Sequence, residues 1–334
     1  MHRVLIIGCG NIAGGFDADR PATVAPLTHA GAYLRHGGFD LAACIDPDDR
    51  RRAEFQARWS VTRGGESLAA LGAEPGAFDV VSICSPTAFH HDHMEAALGL
   101  QPRLIFCEKP VTPAADTTAG WIARCDAAGV KLAVNYTRRW DPRVADLARD
   151  LRAGVWGEVR SAVGVYTKGV VHNGAHMADL LHLLLGPTRL IASGRPVWDF
   201  WDDDPSVPAL LESDNGVPIH LAVGHSGDYA LFELVLVTER GEIAMRGGGQ
   251  SWTVRLPHES AVFAGYRALG DQETSEGGYD HAMLNAVANI ADALTSDAKL
   301  ASTGDNALAA QRLCESIRSA ALLAESSTPS RINQ

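Results

Sequence analysis

One lysine and one histidine carry the chemistry that this sequence suggests. Lys109 follows the apolar run Leu104-Ile105-Phe106-Cys107 and sits in Glu108-Lys109-Pro110. Four apolar residues ending in turn chemistry predict a buried parallel strand with its carboxyl end at Glu108. Open α/β sheets bind ligands beyond those ends, and Pro110 biases Lys109 toward extended backbone. His176 lies at the opening of an apolar helical segment, Gly174-Ala175-His176-Met177-Ala178-Asp179, that runs on to Leu185. An imidazole titrates near neutrality and suits a general base, while an ammonium beside a reacting oxygen stabilises alkoxide charge. Together they suit removal of a hydroxyl proton as hydride leaves carbon. The structural alternatives are a solvated lysine at a strand exit and a capping or core histidine.

His172 precedes His176 by four positions, and Asp179 follows by three. A continuous helix would make them possible zinc ligands, but Gly174 between them predicts a later helix start. His90, His91 and His93 have no fixed carboxylate or thiolate ligand beside them, so they are expected to be a helix start with one ring near the cofactor. No metal is expected at either place.

The elements that must position these groups begin with a strand, Arg3–Ile7, running into Gly8-Cys9-Gly10-Asn11-Ile12-Ala13. Gly8 permits the tight turn, Gly10 lets a pyrophosphate approach Asn11 and Ile12, and Ala13 allows close packing of helix on strand. A loop-like insertion, Gly14 to Pro26, precedes a helix expected from about Leu27 to His36. The second strand, Leu41–Ile45, ends in Asp46, which would bind a ribose 2′-hydroxyl and favour NAD. It lies 38 residues from Gly8, against the usual ~20, and the insertion accounts for the excess. Asp46 is also readable as part of a helix start, and Arg50 and Arg51 leave room for NADP. A helix over about 49–58, a short strand near Ser60-Val61-Thr62, and a strand Asp79–Cys84 ending in Ser85-Pro86-Thr87 follow. With a helix near 114–128 and a strand Lys131–Val134, the rhythm predicts an α/β Rossmann domain, a doubly wound parallel sheet, over residues 1–134.

Asn135 to Pro142 reads as a crossover, with Tyr136 and Arg138 facing a cleft. Beyond the helix that ends at Gly186-Pro187, strand-like segments recur at 190–193, 209–212, 219–225, 231–238, 243–246 and 252–256. Asp214-Asn215-Gly216 and Glu239-Arg240-Gly241 are hairpin signals. Residues 135–334 are therefore expected to form an α+β domain with a mostly antiparallel open-faced sheet. Its closing helices lie at about 278–295 and 303–324, the last able to pack back on the first domain, before a polar tail. Asp199 to Pro205 reads as an exposed acidic loop.

A net charge of −11 over 334 residues supplies no basic stripe for nucleic acid. Six scattered cysteines without a Cys-x-x-Cys pair suit a reducing compartment. The opening strand is too short for a signal-peptide core, and no run approaches a membrane span. A cytoplasmic protein is expected.

Gly8 to Ala13, Ser85-Pro86-Thr87 with His90, Glu108-Lys109-Pro110 and Gly174-x-His176-x-x-Asp179 together resemble the glucose–fructose oxidoreductase / inositol dehydrogenase / MocA family (Gfo/Idh/MocA). The likeness follows element order over nearly the whole chain. It implies a Rossmann domain, an open-faced sheet domain, NAD or NADP, and hydride transfer at a hydroxyl-bearing carbon of a sugar, nucleotide-sugar or cyclitol. It implies cofactor contacts from Gly8, Gly10, Asn11, Ile12, Asp46, Ser85, Pro86, Thr87, His90, Glu108 and Lys109. The expected catalytic residues are Lys109, His176 and His172. The expected substrate contacts are Lys109, Tyr136, Arg138, Lys168, His172, Asn173 and His176. The family carries an acid four residues before the histidine, and this chain has His172 there. That departure keeps open a non-catalytic NAD-binding sensor, or chemistry in which hydride leaves and returns. Leu231–Val237, apolar on both faces, and the resemblance together predict a homodimer or homotetramer.

Overall fold

The computed structural model describes residues 1–326. The described chain divides into two compact units, Met1–Pro142 with Asp280–Leu308, and Arg143–Tyr279 with residues 309–326. The first unit alternates β1 (His2–Ile7), α1 (His29–His36), β2 (Phe39–Ile45), α2 (Asp49–Trp59), β3 (Arg63–Gly65), α3 (Leu68–Leu71), β4 (Val80–Ile83), α4 (His90–Gly99), β5 (Leu104–Cys107), α5 (Ala115–Ala127) and β6 (Lys131–Val134). All six strands are parallel, in the order β3-β2-β1-β4-β5-β6. Val4, Leu5 and Ile6 in β1, and all of β5, are wholly buried, as an apolar run covered on both faces requires. The order reverses between β1 and β4, so the carboxyl ends of these strands and β5 flank the switch-point crevice where such sheets take ligands.

The short strand expected at Ser60-Val61-Thr62 lies instead at Arg63–Gly65. Ser60, at φ +57°, closes α2 as a left-handed cap, and the Val61 N–H still returns to Gln56 O at 3.1 Å. The chain cannot become extended until both are passed.

The second unit is entered through α6 (Pro142–Arg152) and β7 (Val159–Tyr166), then a π-turn at Gly169–Asn173 and α7 (Gly174–Leu185). There follow β8 (Thr188–Ser193), β9 (Ala209–Ser213), β10 (Pro218–Val223), β11 (Phe232–Thr238), β12 (Gly241–Arg246) and β13 (Ser251–Arg255). A small hairpin, β14 (Pro257–Glu259) with β15 (Arg267–Leu269), precedes β16 (Glu273–Glu276). Eight strands form one sheet, β16-β13-β12-β11-β7-β10-β9-β8, antiparallel except where β10 lies parallel to β7. One cross-strand row, Leu211, Ile219, Ala162, Leu236 and Ile243, is buried. The row on the opposite face, Leu210, His220, Val163 and Val235, keeps partial or full exposure. The sheet thus shows an apolar face and an open one.

Two helices close the described part of the chain, α8 (Ala282–Thr295) and α9 (Gly304–Ser326). Met283, Val287 and Ile290 of α8 join the core of the first unit with Tyr33 of α1 and Trp140, whose indole donates to Asn289 Oδ1 at 2.9 Å. The polar tail expected after residue 324 lies, from residue 327 onward, outside the described residues.

Candidate active site

The glycine loop is built by sterics. Gly8 sits at φ +90°, and a Cβ there would lie 2.7 Å from Ser85 N, so only glycine lets β1 end against the loop leaving β4. A Cβ at Gly10 would meet no described atom within 4 Å, which leaves room above the loop. Asp46, 3 % exposed, closes β2 by accepting from Cys9 N and Asp48 N, each at 2.9 Å. Its carboxylate therefore fastens the glycine loop to the second strand. Asp17 organises the insertion, accepting from Leu27 N at 3.0 Å, Thr28 N at 3.0 Å and Thr28 Oγ1 at 2.6 Å. A cavity of about 310 Å³ beside the loop is lined by Gly10, Asn11, Gly15, Arg50, Arg51 and Arg58. Open space over glycine, a carboxylate at the second strand end and adjacent guanidinium groups fit a dinucleotide.

Glu108, at the end of β5, has partners in two other segments. It accepts from His29 Nε2 at 3.0 Å and from Asn135 Nδ2 at 2.6 Å, while Thr137 Oγ1 donates to Asn135 Oδ1 at 2.9 Å. Burial pushes its pKa up, but the hydrogen bond and charge of His29, the Asn135 amide and the Lys109 charge outweigh that and leave it below the usual carboxylate value. Glu108 is thus an ionised group that holds the loop bearing Lys109. His90, wholly buried, sets Nε2 2.8 Å from Ser85 O and Nδ1 2.9 Å from Pro110 O, joining the loops after β4 and β5. Ser85 Oγ lies 2.7 Å from His93 Nδ1, and Trp121 donates to His91 Nδ1 at 3.1 Å. Each of the three neighbouring histidines thus has its own structural partner. Pro86 and Thr87 lead into a 3₁₀ turn at Thr87–Phe89. Tyr136 and Arg138, read as facing a cleft, are 1 % and 8 % exposed.

In the second unit, β7 turns Ala162, Gly164 and Tyr166 toward α7. A Cβ on Gly164 would fall 2.9 Å from Met177 Sδ, and one on Gly174 would fall 3.0 Å from the Tyr166 ring. Small residues thereby let α7 lie close on the sheet. From Thr167 to Leu181 only Lys168, His172, Asn173 and His176 escape burial, so the start of α7 presents four polar side chains against an apolar background. Asn173 Nδ2 donates to Thr167 O at 2.8 Å, and Lys168 Nζ stands 5.1 Å from the centre of the Phe200 ring. His172 stacks on Trp201 at 4.4 Å and 20°.

The segment Asp199 to Pro205, read as an exposed acidic loop, is corrected by the structure. Asp202 and Asp203 are exposed, but Asp199 and Asp204 are 8 % and 1 % exposed. Asp199 accepts from Lys168 N at 2.9 Å, Ser206 Oγ at 2.8 Å and Ser226 N at 3.2 Å. Asp204 accepts from Val171 N at 3.0 Å, His172 N at 2.8 Å and His172 Nδ1 at 2.8 Å. Backbone N–H groups of an irregular turn need acceptors when buried, and these two acids supply them. Asp199, Asp204, His29 and Asn135 were not singled out from the sequence.

Residues 2–136 match the model of the Gfo/Idh/MocA family, an oxidoreductase family with an NAD-binding Rossmann fold. Among curated proteins, the chain is 29 % identical to the D-apiose dehydrogenase of Paraburkholderia graminis over 57 % of its own length and 55 % of that protein's. It therefore spans about half of that relative. It is 23 % identical to the inositol 2-dehydrogenase of Rhizobium meliloti over 73 % of this chain and 78 % of that one. Among solved structures, a levoglucosan dehydrogenase in complex with NADH and levoglucosan has the same fold at a TM-score of 0.80 and 15 % identity, covering 96 % of this chain and 97 % of that one. Among the described residues no helix is long and apolar enough to cross a membrane.

Proposed function

We propose that this protein is an NAD(P)-dependent dehydrogenase acting on a hydroxyl-bearing carbon of a sugar, nucleotide-sugar or cyclitol, with NAD the expected cofactor. The cofactor supplies a hydride acceptor at the nicotinamide. The chain's own residues do the rest. Gly10, Asn11 and Ile12 approach the pyrophosphate, and Asp46 takes the adenosine ribose. Lys109 stabilises the alkoxide as it forms, and His176 removes the hydroxyl proton. Lys168, His172 and Asn173 orient the substrate's remaining hydroxyls or its acidic group. The observation that carries this reading is the set of four polar side chains left uncovered at the start of α7, in a chain whose other unit is an NAD-binding domain. The curated relatives named as sugar and inositol dehydrogenases support the substrate class.

The same reading includes a homo-oligomer joined through the open sheet face, because Val163 and Val235, paired across β7 and β11, stand partly exposed there. The reading also takes the protein to be cytoplasmic, supported by six buried cysteines scattered without a Cys-x-x-Cys pair. A panel of pentoses, hexoses, uronates, nucleotide-sugars and inositols, followed by nicotinamide absorbance with NAD and with NADP, tests the proposal. Reduction with at least one polyol supports it. Cofactor binding without turnover on any member, with ligand-dependent affinity instead, would favour a sensor.

A further inference from the structure

The histidine at position 172 stands where the family resemblance implies an acid, yet an acid is present. Asp204 reaches the same point from a loop 32 residues downstream, with Oδ2 2.8 Å from His172 Nδ1. The site is built to receive it. Gly169 has φ +84°, and a Cβ there would lie 2.2 Å from Asp204 Oδ2, so the carboxylate fills the space that a side chain would occupy. Two backbone N–H groups, of Val171 and His172, already donate to that carboxylate. It is therefore an acceptor, and the ring nitrogen facing it is the donor. Trp201, stacked on the face of the His172 ring, limits its rotation.

We infer that Asp204 is a positioning residue that fixes His172 with its proton on Nδ1 and its basic lone pair on Nε2, restoring through a second residue the acid missing at position 172. The inference rests on the dehydrogenase reading above. In that reaction the hydroxyl proton goes to His176, hydride goes to nicotinamide, and His172 Nε2 takes the proton onward. The resulting imidazolium faces the Asp204 carboxylate across that contact. The His172 side chain is 35 % exposed, so it can release that proton to water. A bare acid at 172 would need no such partner, whereas an imidazole without one would divide its proton between both nitrogens.

Two measurements test this. The first is ¹⁵N imidazole spectroscopy of the whole protein, without substrate, assigned by the loss of one ring signal in His172→Phe. It is expected to show His172 protonated at Nδ1, and protonation at Nε2 alone overturns the inference. The second is a kinetic cycle on a polyol that turns over. Asp204→Asn keeps an acceptor for the two backbone N–H groups and is expected to lower kcat by about 10²-fold with KM nearly unchanged. In the His172→Phe background, which keeps the stack on Trp201, the same change is expected to cost less than about 2-fold. An equal loss in both backgrounds means that Asp204 only braces the turn, and overturns the inference. His176→Ala separates the two levels. If it retains full turnover the dehydrogenase mechanism fails, and the spectroscopic result still decides the Asp204–His172 pairing.

Discussion

His29 and Glu108, 79 residues apart, meet with Nε2 and Oε1 at 3.0 Å, and the His29 side chain is wholly buried. A histidine at the first position of α1 thereby secures the loop that carries Lys109. With the native pKa of Glu108 depressed, its contribution to stability is fully present above the unfolded carboxylate value of about 4.3 and is lost as pH falls through the lower native value. Glu108→Gln is expected to cost about 1–3 kcal/mol at neutral pH, through a hydrogen bond that loses its charge. Urea titrations of both proteins across the acid range check this, and the gap between them should narrow only below about pH 4.

Asp46 has two tasks at once, since it holds Cys9 N and closes the strand against which a ribose would rest. Asp46→Ala is expected to weaken NAD by more than 10-fold, partly by loosening the glycine loop, and to weaken NADP less. Fluorescence titration with both reduced cofactors measures the ratio. Equal or tighter NADP binding by the unaltered protein would remove Asp46 from the ribose assignment and pass cofactor choice to Arg50, Arg51 and Arg58.

On the open sheet face Val235 is paired with Val163 across β11 and β7. Val235→Glu should leave the fold intact, because that position is not in the buried row, and should shift sedimentation from an oligomer to a monomer at micromolar concentration. An unaltered protein that already sediments as a monomer contradicts the proposed assembly.

The strand–helix order of residues 1–134 was legible because its signals are local. A buried strand running into Gly8-x-Gly10, and an apolar run broken by Glu108-Lys109-Pro110, each declare themselves within ten residues. The start of α7 was legible for the same reason. What could not be read were partners that lie far away in the chain. Nothing near His29 points to Glu108. Asp204 looks like its solvated neighbours Asp202 and Asp203, and what separates it from them is the missing side chain of Gly169, 35 residues earlier. β14, β15 and β16 are short and mostly exposed, so no apolar alternation marks them.

The central claim is that His176 and Lys109 act in the transition state of a carbinol oxidation. The most direct measurement is kcat for His176→Ala and Lys109→Ala on a polyol that the unaltered protein oxidises, with the Kd for NAD measured on the same preparations. Each variant is expected to lose roughly 10²-fold or more in kcat while binding NAD nearly as before, and the double variant to lose less than the product of the two. A His176→Ala protein that keeps near-normal turnover would contradict the account and leave the base to be sought among His172, Lys168 and Tyr136.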